Sequence, residues 1–220
     1  MNSTTHLFGD SFLADWTKHK KPFPLCQDYI DWEKTQGNHD IEDIPYWLNK
    51  LNHSNVKNYA KGGSSNDSIF ESLEENYDLI QPGDLVVLQT SIITRLKGMH
   101  KNGKKWFGDI FFNKGVNEFF IDKVNKKCFF DYDFYTKLAT ERLQEKWVDF
   151  IAQKINFYEK IVKQKNAKFL HFSIDLSIVK HCNSSVCLIQ ANKIAHISPI
   201  DDYHPSYEGN KSIATYIVNS

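Results

Sequence analysis

Short apolar stretches bounded by turn residues recur along this chain between longer stretches with helical spacing. The first, residues 4–8, reads as a strand that stops at Gly9-Asp10-Ser11. A polar stretch containing Pro22 and Pro24 follows; within 41–51, Ile44, Trp47, Leu48 and Leu51 then share one helical face. Residues 56–60 form a second strand candidate, closed by Gly62-Gly63, and Asn66 or Asp67 is placed to cap a helix whose stripe is Ile69, Phe70 and Leu73. After the turn Pro82-Gly83-Asp84, Leu85-Val86-Val87-Leu88-Gln89 is a continuous apolar run of the kind found in buried parallel strands. A long helical pattern covers roughly 134–166, with Leu138, Leu143, Trp147, Phe150, Ile151, Ile155, Tyr158 and Val162 near a 3.6-residue period; Trp147, Phe150 and Ile151 read as core packing. Residues 169–174 form another strand, 188–197 hold short β-like runs, and 207–218 form a closing helix.

Strand–helix alternation with buried apolar strands predicts an α/β layered fold with a mainly parallel sheet, in one domain over 1–220. Ligands in such folds sit beyond the carboxyl ends of the strands. The segment 92–133, rich in Lys, Gly and Phe, fits the alternation poorly and reads as an insertion covering the sheet edge.

Composition narrows the function classes. Hydrophobic residues make up 41% of the 220 and aromatics 14%, enough to bury a core. Lys+Arg and Asp+Glu are both 27, so no global positive field favours a nucleic-acid partner. No apolar run reaches the length of a membrane span, and the N-terminus lacks a basic segment followed by an apolar one, so a cytoplasmic protein is expected. Cys26, Cys128, Cys182 and Cys187 match neither a zinc-ligand spacing nor a disulfide framework, and the histidines show no paired helical spacing; neither metal nor cofactor is expected.

Two short blocks carry chemistry. A glycine before Asp10-Ser11 at a strand's carboxyl end lets the chain turn sharply and present the Ser11 hydroxyl, with free backbone N–H groups beside it. At the other end of the chain, Asp201-Asp202-Tyr203-His204-Pro205 places an aspartate three residues before a histidine, so that Asp201 can hold one imidazole nitrogen and leave the other basic. Together the blocks supply a nucleophile, a base and an orienter.

Gly9-Asp10-Ser11, a glycine after the second strand, and Asp201-x-x-His204 before the last helix resemble the SGNH (GDSL-type) hydrolase superfamily. The resemblance runs from end to end of the chain through these short blocks. It implies a flavodoxin-like three-layer α/β/α sandwich and an ester-hydrolase activity. It also implies Ser11 as nucleophile and oxyanion donor, Gly63 as second donor, His204 as base, and Asp201 as its partner with Asp202 as fallback. Where the family has Gly-x-Asn-Asp after the third strand, this chain has Gln89-Thr90-Ser91-Ile92-Ile93-Thr94-Arg95; the Gln89 amide or the Thr90 or Ser91 hydroxyl is the candidate third donor. The implied function is a serine esterase acting on O-acyl, chiefly acetyl, esters of a carbohydrate or small molecule. An intracellular or phage-like carbohydrate deacetylase fits this best. An O-acyltransferase with the same triad, or a catalytically weak carbohydrate- or protein-binding module, are the other readings.

Two near-motifs point elsewhere and fail. Gly98-x4-Gly103-Lys104 starts like a phosphate loop, but Lys105 stands where a magnesium-binding Ser or Thr is required. Gly62-Gly63-Ser64-Ser65-Asn66 lacks the last glycine of a Gly-x-Ser-x-Gly elbow. His171, inside an apolar strand, reads as a hydrogen-bonded core histidine.

Overall fold

The computed structural model describes residues 3–10, 13–14, 43–51, 55–103, 106–110, 112, 118–173, 175–182, 185–187 and 207–220. In chain order the strands are β1 (Thr5–Phe8), β2 (Val56–Asn58), β3 (Leu85–Thr90), β4 (Leu96–Met99), β5 (Trp106–Ile110), β6 (Lys168–Ser173) and β7 (Ser185–Cys187). The helices are α1 (Ile44–Lys50), α2 (Asn66–Asn76), α3 (Glu118–Lys127), α4 (Tyr132–Glu141), α5 (Glu145–Gln164), α6 (Leu176–Val179) and α7 (Tyr207–Val218). The chain is a mixed α/β protein whose main sheet runs β2-β1-β3-β6-β7, every described pairing in it parallel.

The strand pattern explains why helices cover both faces. Leu7, Val87 and Leu170 lie side by side in the sheet register, and Phe8, Leu88 and His171 form the next row, facing the other way. The first set, with Leu85 and Phe172, packs on Ile44 and Leu48 of α1 and Ile213, Ala214 and Ile217 of α7. The second face, through Phe8, Val86, Leu88 and Phe169, packs on Ile69, Phe70 and Leu73 of α2 and on α5. In α5 the buried residues Val148, Ile151, Ile155, Tyr158 and Val162 follow the three–four spacing of a single helical stripe. Burying one such Leu, Ile or Phe side chain contributes about 1.5–3 kcal/mol relative to leaving it in water.

Several expectations are corrected. The helical pattern over 134–166 is two helices, α4 and α5, separated at Arg142-Leu143-Gln144, and Leu143 is exposed. Phe150 is also exposed, so of the expected core residues Trp147, Phe150 and Ile151 only Ile151 is fully buried, with Trp147 partly so. The cap of α2 is Ser65, whose hydroxyl accepts from the Ser68 N–H, and Asn66 is the first helical residue.

Elements on both sides of residue 133 pack as one unit. The antiparallel β4–β5 pair, α3 and α4 share a core of their own made of Leu96, Ile110, Val124, Cys128, Tyr135 and Ala139. This unit is pinned to α2 by Ser68 Oγ donating to Asp109 (2.8 Å), by a Lys97–Glu71 ion pair, and by Arg142 on Asp67 (3.0 Å). The glycines of the near-phosphate-loop belong to it: Gly98 lies on β4, and Gly103 sits at a turn with φ +64°. The runs over 188–197 lie outside the described residues, and no described helix is long and apolar enough to cross a membrane.

Candidate functional site

The carboxyl ends of β1, β2 and β3 meet at one edge of the sheet, and hydrogen bonds cross between all three. β1 ends at Gly9, where a Cβ would stand 2.7 Å from the Gln89 side-chain oxygen. Glycine therefore lets the backbone approach β3 closely enough for the Asp10 N–H to donate to that oxygen (2.9 Å). The Gln89 amide nitrogen in turn donates to the Thr90 carbonyl (2.9 Å). The Asp10 carbonyl accepts from Leu13 N (3.2 Å) and Ala14 N (3.0 Å), which ties these two residues back to the end of β1.

The end of β2 holds Leu13 from the other side. Asn58 Nδ2 donates to the Leu13 carbonyl (2.8 Å), and its Oδ1 accepts from Ala60 N (2.9 Å). Lys61 N then bonds the Gly9 carbonyl (3.1 Å), drawing the loop after β2 alongside β1. Gly63 in that loop has φ +83°, and nothing lies within 4 Å of where a Cβ would be. Glycine is selected there by backbone conformation rather than by crowding. Ser64 and Ser65 follow, buried, and α2 begins.

After β3 the chain is tied to the same loops. Asn66 and Ser91 exchange two hydrogen bonds: Asn66 Nδ2 donates to the Ser91 carbonyl (3.0 Å), and Ser91 N donates to Asn66 Oδ1 (2.8 Å). Arg95 reaches back with one guanidinium nitrogen to three groups, Asp10 Oδ2 (3.0 Å), the Ser64 carbonyl (3.2 Å) and Ser91 Oγ (2.8 Å). Asp10 is 1% exposed and the Arg95 side chain 15%, so this is an ion pair largely withdrawn from water.

The sequence-derived site residues fall into two groups. Ser11, Asp201, Asp202 and His204 lie outside the described residues. Gly63, Gln89, Thr90 and Ser91 all lie at this edge. The Thr90 hydroxyl is fully buried, bonded to His171 Nε2 (2.9 Å) and donating to the Phe172 carbonyl at 3.4 Å. Burial pushes the His171 pKa down to about 3, so its ring is neutral. Ser91 is fully buried, and its Oγ accepts from Arg95. Among the described residues no cluster of three or more His, Cys, Asp or Glu is placed to hold a metal ion.

Sequence reasoning assigns no role at the site to Arg95 or Asn58, and reads Asn66 only as a candidate helix cap. A signal for Arg95 is present: a lone cation between Ile92-Ile93 and Leu96 must find a carboxylate if it is buried.

No protein-family model matches the chain, and no curated protein is detectably similar to it. Among solved structures, the chain is similar to the crystal structure of protein YxiM from Bacillus subtilis, with a TM-score of 0.49 and 16% identity. The match covers 100% of this chain and 56% of that one, so the chain spans little more than half the length of YxiM.

Proposed function

We propose that this chain is a serine esterase of the SGNH type on a flavodoxin-like sheet. Counting parallel strands alone, the order β2-β1-β3-β6-β7 becomes 2-1-3-4-5, the order of flavodoxin-like folds. Ligands in that architecture bind where the strand order reverses, between β1 and β3. The observation that carries the reading is the bracing of the β1 end at that crevice. Gly9 and Asp10 are held by Gln89, Arg95 and the loop after β2, and the next residue in the chain is Ser11.

In the proposed mechanism His204, oriented by Asp201, takes the proton from the Ser11 hydroxyl as its oxygen attacks the ester carbonyl. The Ser11 and Gly63 N–H groups stabilise the oxyanion, and His204 protonates the departing alcohol, leaving an acyl-serine. Water activated by the same imidazole then releases the acid. Neither metal nor organic cofactor takes part in this scheme, and the substrate class is an O-acyl ester of a carbohydrate or small molecule.

The test is mass spectrometry after treatment with a fluorophosphonate probe, combined with p-nitrophenyl acetate turnover. The probe is expected to label Ser11 alone, and Ser11→Ala is expected to lower turnover by about 10³-fold or more. Absence of label on folded protein would overturn the esterase and leave a binding module on this fold.

A further inference from the structure

We infer that Arg95 is a positioning residue that locks together the end of β1 at Asp10, the loop after β2 at Ser64 and the segment after β3 at Ser91. Its catalytic consequence rests on the esterase reading, and its structural consequence on geometry alone.

A single nitrogen of Arg95 touches all three loops at the sheet edge. Asp10 directly precedes Ser11, Ser64 directly follows Gly63, and Ser91 directly follows β3. Arg95 bonds all three at 2.8–3.2 Å. The two N–H groups assigned to the oxyanion, on Ser11 and Gly63, therefore sit one residue from groups held by the same guanidinium nitrogen. Two donors can converge on one oxygen only if their loops are held to a fraction of an ångström.

Two other bonds also join the β1 end to β2 and its loop, Asn58 Nδ2 to the Leu13 carbonyl and Lys61 N to the Gly9 carbonyl, but neither reaches Ser64 or the segment after β3. Gln89 fixes Asp10 to β3, while Asn66 fixes Ser91 to the start of α2. Among the described hydrogen bonds, Arg95 alone joins Asp10, Ser64 and Ser91 through one side chain. A guanidinium suits this, because it stays charged and carries several N–H donors on one planar group.

The experiment compares wild type, Arg95→Lys, Arg95→Ala and the double variant Arg95→Met with Asp10→Asn. Three quantities are read: the rate of Ser11 labelling by the fluorophosphonate, kcat and KM for p-nitrophenyl acetate, and amide hydrogen exchange at residues 58–66. Arg95→Ala is expected to slow labelling and lower kcat by about 10²-fold, the loss associated with an ångström-scale misplacement, with KM changed far less. Arg95→Lys recovers part of this, and exchange at 58–66 rises in Arg95→Ala. The double variant removes the unpaired buried charge and so regains folding stability, yet stays slow. If it regains wild-type labelling as well, the pair only stabilises the fold and the positioning role is lost. Labelling of Arg95→Ala at the wild-type rate would overturn that role equally. If wild type itself takes no label, the esterase reading fails separately, and the exchange data alone decide: faster exchange at 58–66 in Arg95→Ala upholds the brace, unchanged exchange overturns it.

Discussion

β1 carries a buried hydrogen bond to a carboxylate at each of its ends, and the two are built differently. At the amino end, His6 Nε2 lies 3.0 Å from Asp84 Oδ2, and Asp84 also accepts from Thr4 N (2.8 Å) and Gln81 N (2.9 Å). Burial lowers the His6 pKa despite the carboxylate beside it, so the ring is neutral. The hydrogen bonds hold the Asp84 carboxyl below the usual aspartate range, together outweighing the upward push of its own burial. With Nε2 donating to an ionised Asp84, His6 Nδ1 is the acceptor side of the ring, buried and with no hydrogen-bond partner among the described residues. At the carboxyl end the cation is a guanidinium, and its contacts spread over residues 10, 64 and 91. The first arrangement clamps two strand starts in register, beside the Leu85 N bond to the Thr4 carbonyl. The second holds loops. One end of the sheet fixes the fold, and the other devotes its buried polar groups to positioning.

That division is broken most severely by Asp84→Ala. The substitution strands the buried His6 ring and the half-buried Thr4 amide, at about 1–3 kcal/mol each, while the amide of exposed Gln81 turns to water. A loss of about 3 kcal/mol in urea-unfolding free energy is expected from the first two, with the fluorophosphonate labelling rate of Ser11 unchanged in the folded fraction. Slowed labelling would show that the amino end also governs the site, and the contrast between the two ends would be lost.

A smaller effect is expected from the glycines of the carboxyl end. Gly9→Ala places a methyl 2.7 Å from the Gln89 oxygen and 3.2 Å from a Leu13 methyl, so the amide holding Asp10 must shift. Overpacking of this kind costs about 1–3 kcal/mol, and labelling of Ser11 should slow along with the stability loss. Gly63→Ala meets no neighbour and is penalised only by its positive φ, by about 1–2 kcal/mol. Thermal unfolding of both variants, each with and without Gln89→Ala, separates the two causes. Shortening Gln89 should relieve Gly9→Ala and leave Gly63→Ala as it was. Equal relief of both, or of neither, would contradict the assignment.

How much of this was legible in the sequence follows from the range of each interaction. β1, β3 and β6 are short apolar runs between turn residues, and α7 covers 207–218 as expected, because these signals are local. The break between α4 and α5 was not legible. Leu143 and Trp147 carry the apolar spacing across a gap between the helices, yet Leu143 takes no part in the core, being 62% exposed. The β4–β5 pair was hidden by its glycines: Gly98 opposes Gly108 in the register, so neither position carries a side chain to mark a strand. At the site, Gly9-Asp10 and Gly63 could be read because backbone conformation and close approach select glycine locally. Arg95 stood out as a cation among apolar residues, but its partner could not be read, since the carboxylate lies 85 residues away and only the fold brings the two together.

The last of the expected effects separates the two ends by pH. His6 belongs to the amino end; His171 belongs to β6, bonded to Thr90 near the carboxyl end. Both have folded pKa values below the ordinary 6.5, and that of His171 is about 3. The unfolded chain therefore binds protons below pH 6.5 that the folded chain refuses, and stability falls as pH drops from 6.5 toward the folded values. The slope for each fully depressed histidine is about 1.4 kcal/mol per pH unit. Asp84 does not contribute in this window: its folded pKa is lowered from 3.8, so its share is present above that value and is lost only below it. Urea denaturation at about pH 6.5, 5.5 and 4.5 should show the slope in wild type. His171→Gln, which can still bond the Thr90 hydroxyl, should remove one histidine's share, while His6→Gln should remove the other only over the pH range its smaller depression covers. Persistence of the full wild-type slope in His171→Gln would mean that the acid sensitivity arises at the amino end alone, and that the polar pair behind Thr90 is indifferent to protonation.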